Sequence, residues 1–223
     1  MAEGIDRGDR AGLVRFIEQH TKPLQPPLVP ELTLYLAEES LPIWQKTEDE
    51  LGEMNVPPPF WAFAWAGGQA MARYLFDNPE TCRGRAVLDL GSGSGISAIA
   101  AAKTGAARVL AADIDALALA ATELNARANH VSIETTIDDL LSQADLRRTG
   151  VVIIGDLFYE RELADRVLAF IEAAKASGST VLIGDPQRSY FPRDRFEMLM
   201  EYQVPVTREL EDAELKRTAV WRA

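Results

Sequence analysis

One stretch of this 223-residue sequence has the makings of a ligand loop: Val87-Leu-Asp89-Leu-Gly91-Ser-Gly93-Ser-Gly95-Ile. Alternating glycines let a backbone turn tightly and approach a ligand, and the helix that follows adds unpaired amides. An acid two residues before the first glycine sets the chemistry. A carboxylate at Asp89 repels a pyrophosphate but accepts hydrogen bonds from an ammonium group, which disfavours a nicotinamide or flavin site of G-x-G-x-x-G type. Asp113 lies 22 residues beyond Gly91. At that distance one carboxylate can accept from both hydroxyls of a ribose. Asp115, just ahead of Ala116-Leu-Ala, reads as a helix N-cap. Each of Asp138 and Asp139 is either an acceptor for an adenine amino group or a helix cap. A further acid opens the run Asp156-Leu-Phe-Tyr159.

These residues need strands that end together. Short apolar runs recur at 86–90, 108–112, 151–154 and 180–183, with an alternating and therefore edge-like run at 131–134. Helical stretches are expected at 94–103, 116–128, 160–176 and 193–202. Strands alternating with helices imply βαβ crossovers and a parallel sheet covered on both faces. Two last candidates, 203–209 and 214–221, are too close for a crossover helix and predict an antiparallel hairpin. The fold class expected is therefore α/β, a Rossmann-like, doubly wound, seven-stranded sheet, mostly parallel with a C-terminal antiparallel hairpin. Eight of the 12 prolines fall in the first 59 residues, so that region cannot form a sheet centre. It reads as a Pro-rich helical and loop cap over residues 1–59, with a helix at 11–20 and a strand-like run at 32–36, ahead of the main domain at 60–223. The bulky residues Trp44, Phe60, Trp61, Phe63 and Trp65 argue that this cap packs on the domain.

Composition narrows the function classes. Acids outnumber Lys plus Arg 34 to 23, a net charge of −11 that repels nucleic-acid backbones. One cysteine and two histidines offer neither a disulfide framework nor a structural zinc site, and no metal is expected. With no apolar run long enough for a membrane span and no leader-like start, a cytoplasmic protein is expected, and a monomer.

An ammonium, a ribose, an adenine and no phosphate together describe S-adenosylmethionine. Over residues 60–223 the chain resembles the class I, seven-strand methyltransferases, whose product is S-adenosylhomocysteine. That resemblance implies Asp89, Gly91 and Gly93 at the methionine end, Asp113 at the ribose, and Asp138 or Asp139 at the adenine. No N-P-P-Y motif of the N6-adenine and glutamine enzymes is present. The D-x-x-Y pattern of Asp156 and Tyr159 instead resembles protein lysine methyltransferases. The segments Pro57–Leu75, Gly155–Glu160 and Gly184-Asp-Pro-Gln-Arg188 are similar to the lysine methyltransferases of the electron transfer flavoprotein β subunit. This resemblance spans most of the chain after the first 30 residues. It implies Trp65 near the reactive sulfonium, Asp156 orienting the amine, Tyr159 shaping its slot, and flavoprotein lysines as substrate. The acidic surface suits a lysine-bearing protein partner. Two alternatives stand beside this reading: the same chemistry on a ribosomal protein or small amine, and a non-catalytic S-adenosylmethionine-binding factor on the same fold.

Overall fold

The computed structural model describes residues 8–37, 58–143, 149–206 and 214–223. Its centre is a seven-stranded sheet of β3 (Ala86–Leu90), β4 (Arg108–Ala112), β5 (Glu134–Thr136), β6 (Val151–Gly155), β7 (Thr180–Asp185), β8 (Glu197–Pro205) and β9 (Leu215–Arg222). The strand order is β5-β4-β3-β6-β7-β9-β8. The first five pair in parallel, while β9 runs antiparallel to both β7 and β8. The order reverses beside β3, whose neighbours are β4 and β6. Ligands of open α/β sheets bind at such a switch point, outside the carboxyl ends of the strands.

Period-two alternation sends the strand side chains into two cores. Val87, Val109, Ile153 and Leu182 meet helices α2 (Ala66–Asp77) and α3 (Ile96–Lys103) on one face. On the other, Leu88, Leu90, Val152 and Ile154 meet Val167, Phe170 and Ile171 of α5 (Arg161–Ala176). Burial on both faces is why these strands read as continuous apolar runs.

Helix α1 (Arg10–His20) buries Leu13 and Ile17 in a third cluster with Trp61 and α4 (Ala116–Ala128). A two-stranded ribbon follows, β1 (Lys22–Leu24) paired antiparallel with β2 (Leu34–Leu36). The strand-like run expected at 32–36 thus contributes its last three residues. Pro23 is accommodated because the ribbon is all edge. Two asparagines of α4 fasten this ribbon. Tyr35 N–H donates to Asn125 Oδ1 at 2.7 Å and Thr33 N–H to Asn129 Oδ1 at 3.1 Å, while Asn129 Nδ2 donates to Thr33 O at 2.6 Å. Trp44 lies outside the described residues.

Two expectations are corrected. The helix expected at 193–202 is a single 3₁₀ turn, Arg193–Arg195, followed by strand β8. Met198-Leu-Met-Glu-Tyr has good helical propensity, but pairing with β9 from Glu197↔Arg222 to Pro205↔Leu215 overrides it. The hairpin strands accordingly lie at 197–205 and 215–222 rather than 203–209 and 214–221. The edge strand expected at 131–134 is present but sits at Glu134–Thr136.

Asn129→Ala would leave both polar groups of Thr33 without their partner. A loss of about 1–3 kcal/mol is expected, read as a lower urea midpoint. An unchanged midpoint would show that the Asn125 bond and apolar contacts hold the ribbon without Asn129.

Candidate active site

The carboxyl ends of β3 and β6 lie side by side, Leu90 paired with Ile154. The loop after β3 turns through positive φ at Gly91 (67°) and Gly93 (52°), a region other residues rarely adopt. Asp89, one residue before the strand end, is buried and accepts the Ala98 N–H at 3.0 Å. Ala98 is the third residue of α3, so a strand carboxylate fills the amide end of the helix that leaves the loop. Burial, and then the charge of Asp113, pushes the Asp89 carboxyl up to about 7, against the pull of the Ala98 amide. Asp113 directly follows β4, with Oδ2 accepting Gly93 N–H at 2.9 Å and Oδ1 accepting Asp115 N–H at 3.0 Å. Its pKa is also raised by burial. Asp115 is the N-cap of α4, accepting from Leu117 N at 3.0 Å.

Asp156 mirrors Asp89 one strand over. It sits at φ 58°, the left-handed region that aspartate tolerates better than most residues. From there Oδ2 accepts Gly68 N–H at 3.1 Å, an amide in the first turn of α2. Its Oδ1 accepts Nε and Nη2 of Arg188 at 3.1 and 2.7 Å. The start of α2 comes so close because it carries no side chain there. A Cβ on Gly67 would lie 2.1 Å from Gly184 O and 2.5 Å from Asp156 Oδ2.

A cleft joins these parts, lined by Trp65, Gly68, Asp89, Gly91, Gly93 and Asp156 among others. Leu157 bridges its two loops, its side chain lying where a Cβ on Gly91 would meet Cδ2 at 2.8 Å. Phe158 is fully buried, 5.2 Å from Phe191 and 6.5 Å from Phe196 by ring centroids, and its carbonyl accepts Tyr190 N–H at 3.0 Å. Tyr159 points the other way and is 47% exposed. Phe60 connects it to Trp65, with centroids 5.8 Å from Tyr159 and 6.0 Å from Trp65. Burial, and then the charges of Glu160 and Asp113, raise the Tyr159 pKa, so the phenol is neutral near pH 7.

The structure therefore brings Trp65, Asp89, Gly91, Gly93, Asp113, Asp156 and Tyr159 to one edge of the sheet. Asp138 and Asp139 stand at the end of β5, joined to it by Asp113 N–H donating to Thr136 O at 3.2 Å. Thr136 Oγ1 donates to Asp138 Oδ2 at 2.7 Å, whereas Asp139 pairs with Arg166 and accepts from Ser142 Oγ at 3.1 Å. Sequence reasoning passed over Arg188 and Asp185 as site residues, although both lie in the Gly184–Arg188 motif. Asp185 is buried, accepts Arg188 N–H at 2.7 Å through Oδ1, and has no partner for Oδ2 among the described residues. Burial and the Asp156 charge push it up to about 7. Exposed Ile114 and Ile137, next to Asp113 and Asp138, were missed too. Their signal was an isoleucine in a solvent loop with no core to face.

Residues 74–204 match the family model of the ribosomal protein L11 methyltransferases (PrmA). An electron transfer flavoprotein β subunit lysine methyltransferase of Danio rerio is 38% identical over 200 residues, covering 87% of this chain and 76% of that protein. The chain belongs to this family of S-adenosylmethionine-dependent methyltransferases. The Homo sapiens family member is 35% identical over 212 residues, covering 92% of this chain and 80% of its own. Among solved structures, the magnesium protoporphyrin IX methyltransferase of Synechocystis PCC 6803 with bound S-adenosylmethionine shares the fold. Its TM-score is 0.52 at 16% identity, over 70% of this chain and 77% of that one.

For this lysine methyltransferase family member, Gly67→Ala drives a methyl group against the Gly184 carbonyl and the Asp156 carboxylate. A destabilisation of roughly 1–3 kcal/mol is expected, with methyl transfer falling further than stability alone explains. Denaturation and initial rates on the same preparation would separate the two effects. Asp89 yields a pH prediction. Its carboxyl is raised when free, and a cationic ligand group beside it favours ionisation, so binding releases a proton. Cofactor affinity should rise on the order of tenfold from pH 5.5 to 7. Calorimetry would read this, and a flat profile would refute it.

Proposed function

We propose that this chain transfers methyl groups from S-adenosylmethionine to lysine side chains of the electron transfer flavoprotein β subunit. The observation that carries the reading is the meeting of the glycine loop of β3 with the Asp156–Tyr159 edge of β6 in one aromatic-rimmed cleft.

The residues present fit the cofactor. Asp89 is a buried carboxylate suited to the methionine ammonium, and the Gly91–Gly93 turn lets the backbone approach. Asp113 holds two backbone amides, and a carboxylate has about four acceptor positions, which leaves capacity for ribose hydroxyls. Asp138 is the better acceptor for the adenine amino group, because Asp139 is engaged by Arg166 and Ser142. Exposed Ile114 and Ile137, in the loops after two adjacent strands, would offer that base apolar side chains.

When bound, S-adenosylmethionine would supply the methyl: once the lysine ammonium has given a proton to water, the amine lone pair forms the N–C bond and the C–S pair leaves on sulfur, so the methylated lysine carries the positive charge. The protein supplies position. A free lysine has a pKa of about 10.4, so its neutral form at pH 7 costs roughly 4–5 kcal/mol. A slot walled by Phe60, Trp65 and Tyr159 lowers that cost by disfavouring the ammonium. Asp156 orients the amine, and the neutral Tyr159 phenol can accept one of its N–H groups. Holding nitrogen, carbon and sulfur in line supplies much of the remaining advantage. Methylation keeps the lysine charge while removing donors and adding bulk, so its effect on the flavoprotein is steric.

The test is transfer of labelled methyl from S-adenosylmethionine to purified electron transfer flavoprotein, read by mass spectrometry. Label is expected on β-subunit lysines, with turnover lowered at least about tenfold in Asp156→Asn and cofactor affinity near that of the unaltered chain. Label on a different protein would overturn the substrate and keep the chemistry. Full turnover in Asp156→Asn would remove Asp156 from the mechanism.

A further inference from the structure

Arg188 has no part in the transfer as described so far, yet its guanidinium lies where three parts of the site meet. Both Nε and Nη2 donate to a single oxygen of Asp156, while the other oxygen of that carboxylate receives the Gly68 amide. The guanidinium carbon is 5.5 Å from the centroid of the Trp65 ring. The arginine is held from behind as well. Its own N–H donates to buried Asp185, and the preceding Gln187 adopts φ 66° to make that turn. The side chain is only 18% exposed. A long cation clamped this way against Asp156 and Trp65, two residues that line the cleft, is more than a surface ion pair.

We propose that Arg188 is a positioning residue for methyl transfer: it fixes the Asp156 carboxylate and the Trp65 ring at the acceptor slot and offsets the Asp156 charge, so that lysine is received there as the neutral amine. The inference rests on reading the Asp156 edge as the acceptor site. Nucleophilic attack needs an unprotonated lone pair on nitrogen. That pair becomes the N–C bond, the C–S pair leaves on sulfur, and a proton passes to water. A carboxylate with no counter-charge beside the slot would hold the incoming side chain as an ammonium, which has no such pair. Pairing with Arg188 cancels that pull while leaving Asp156 able to accept an N–H. The other described groups around the slot do not replace it. Asp185 is buried and resists ionisation, Tyr159 is neutral, Glu160 is exposed to solvent, and Asp113 lies at the ribose side of the cleft. The stacking contact adds a geometric role, since a guanidinium over an indole favours one placement of both.

Full-length Arg188→Gln and Arg188→Lys, assayed with electron transfer flavoprotein and S-adenosylmethionine, separate charge from shape. Arg188→Gln should lower kcat roughly ten- to a hundredfold and move the alkaline rise of kcat, which reports groups in the bound complex, upward by about one pH unit. Cofactor affinity by calorimetry should stay within about threefold of the unaltered chain, since the Arg188 guanidinium is bonded to Asp156, on the acceptor side of the cleft. Arg188→Lys should return the pH profile to its original position and recover only part of kcat. An ammonium restores the charge but cannot make the two-pronged contact. A pH profile that superimposes on the unaltered one in Arg188→Gln would overturn the proposal. So would equal losses in both variants, the mark of a purely structural arginine. Absence of any lysine methylation by the unaltered chain would instead defeat the acceptor reading itself, and this inference with it.

Discussion

Two carboxylates at the ends of neighbouring strands each fill the amide end of a helix, and the positions of everything else in the site follow from them. Asp89 reaches Ala98 of α3, and Asp156 reaches Gly68 of α2, 88 residues earlier in the chain. Each contact sets an anion against a helix N-terminus, worth up to about 2 kcal/mol in partly buried geometry. Because β3 and β6 are adjacent and parallel, the two helix ends converge on one crevice. The glycine loop is defined by the first contact and the aromatic entry by the second. The arrangement has an electrostatic cost, visible in the raised Asp89 carboxyl. A cationic ligand offsets that cost by giving the buried charge a partner.

Local chemistry is what the sequence displayed best. Strands buried on both faces showed as apolar runs, and Asp89, Asp113 and Asp156 stood out because each acid follows or ends a strand beside a loop. What it hid depends on pairing. Nothing local in Glu197–Tyr202 says strand, and only the hydrogen-bonded register with β9 decides it. In the same way Pro23 argued against a strand until Tyr35 was found opposite it. Arg188 and Asp156 are 32 residues apart and meet only because β6 and β7 are neighbours in the sheet. No spacing rule within either motif contains that fact.

The rim of the cleft illustrates how exposure and function combine. Phe60 is 44% exposed, and with Tyr159 and Trp65 it forms a chain of rings in mutual contact at the mouth. Single exposed aromatics are ordinary on protein surfaces, but a connected row beside two buried acids is not. Trp61, four residues from Trp65, does the opposite work. It is fully buried against Phe16, and it ties α1 to the same short segment that supplies the rim.

Phe158 gives the D-x-x-Y segment an internal division of labour. Its ring is sunk among Phe191 and Phe196 and its carbonyl is tied to Tyr190, so the residue between Leu157 and Tyr159 works as a nail. With Asp156 pinned at one end, the backbone of this edge has little slack. With the amine slot placed where we propose it, retargeting toward a differently shaped acceptor would therefore have to come from new side chains at Tyr159 and its ring neighbour Phe60. Lengthening or redrawing the loop would pull the nail, and it would disturb Leu157, which lies on the glycine turn. The scaffold is adaptable in its decoration and conservative in its path.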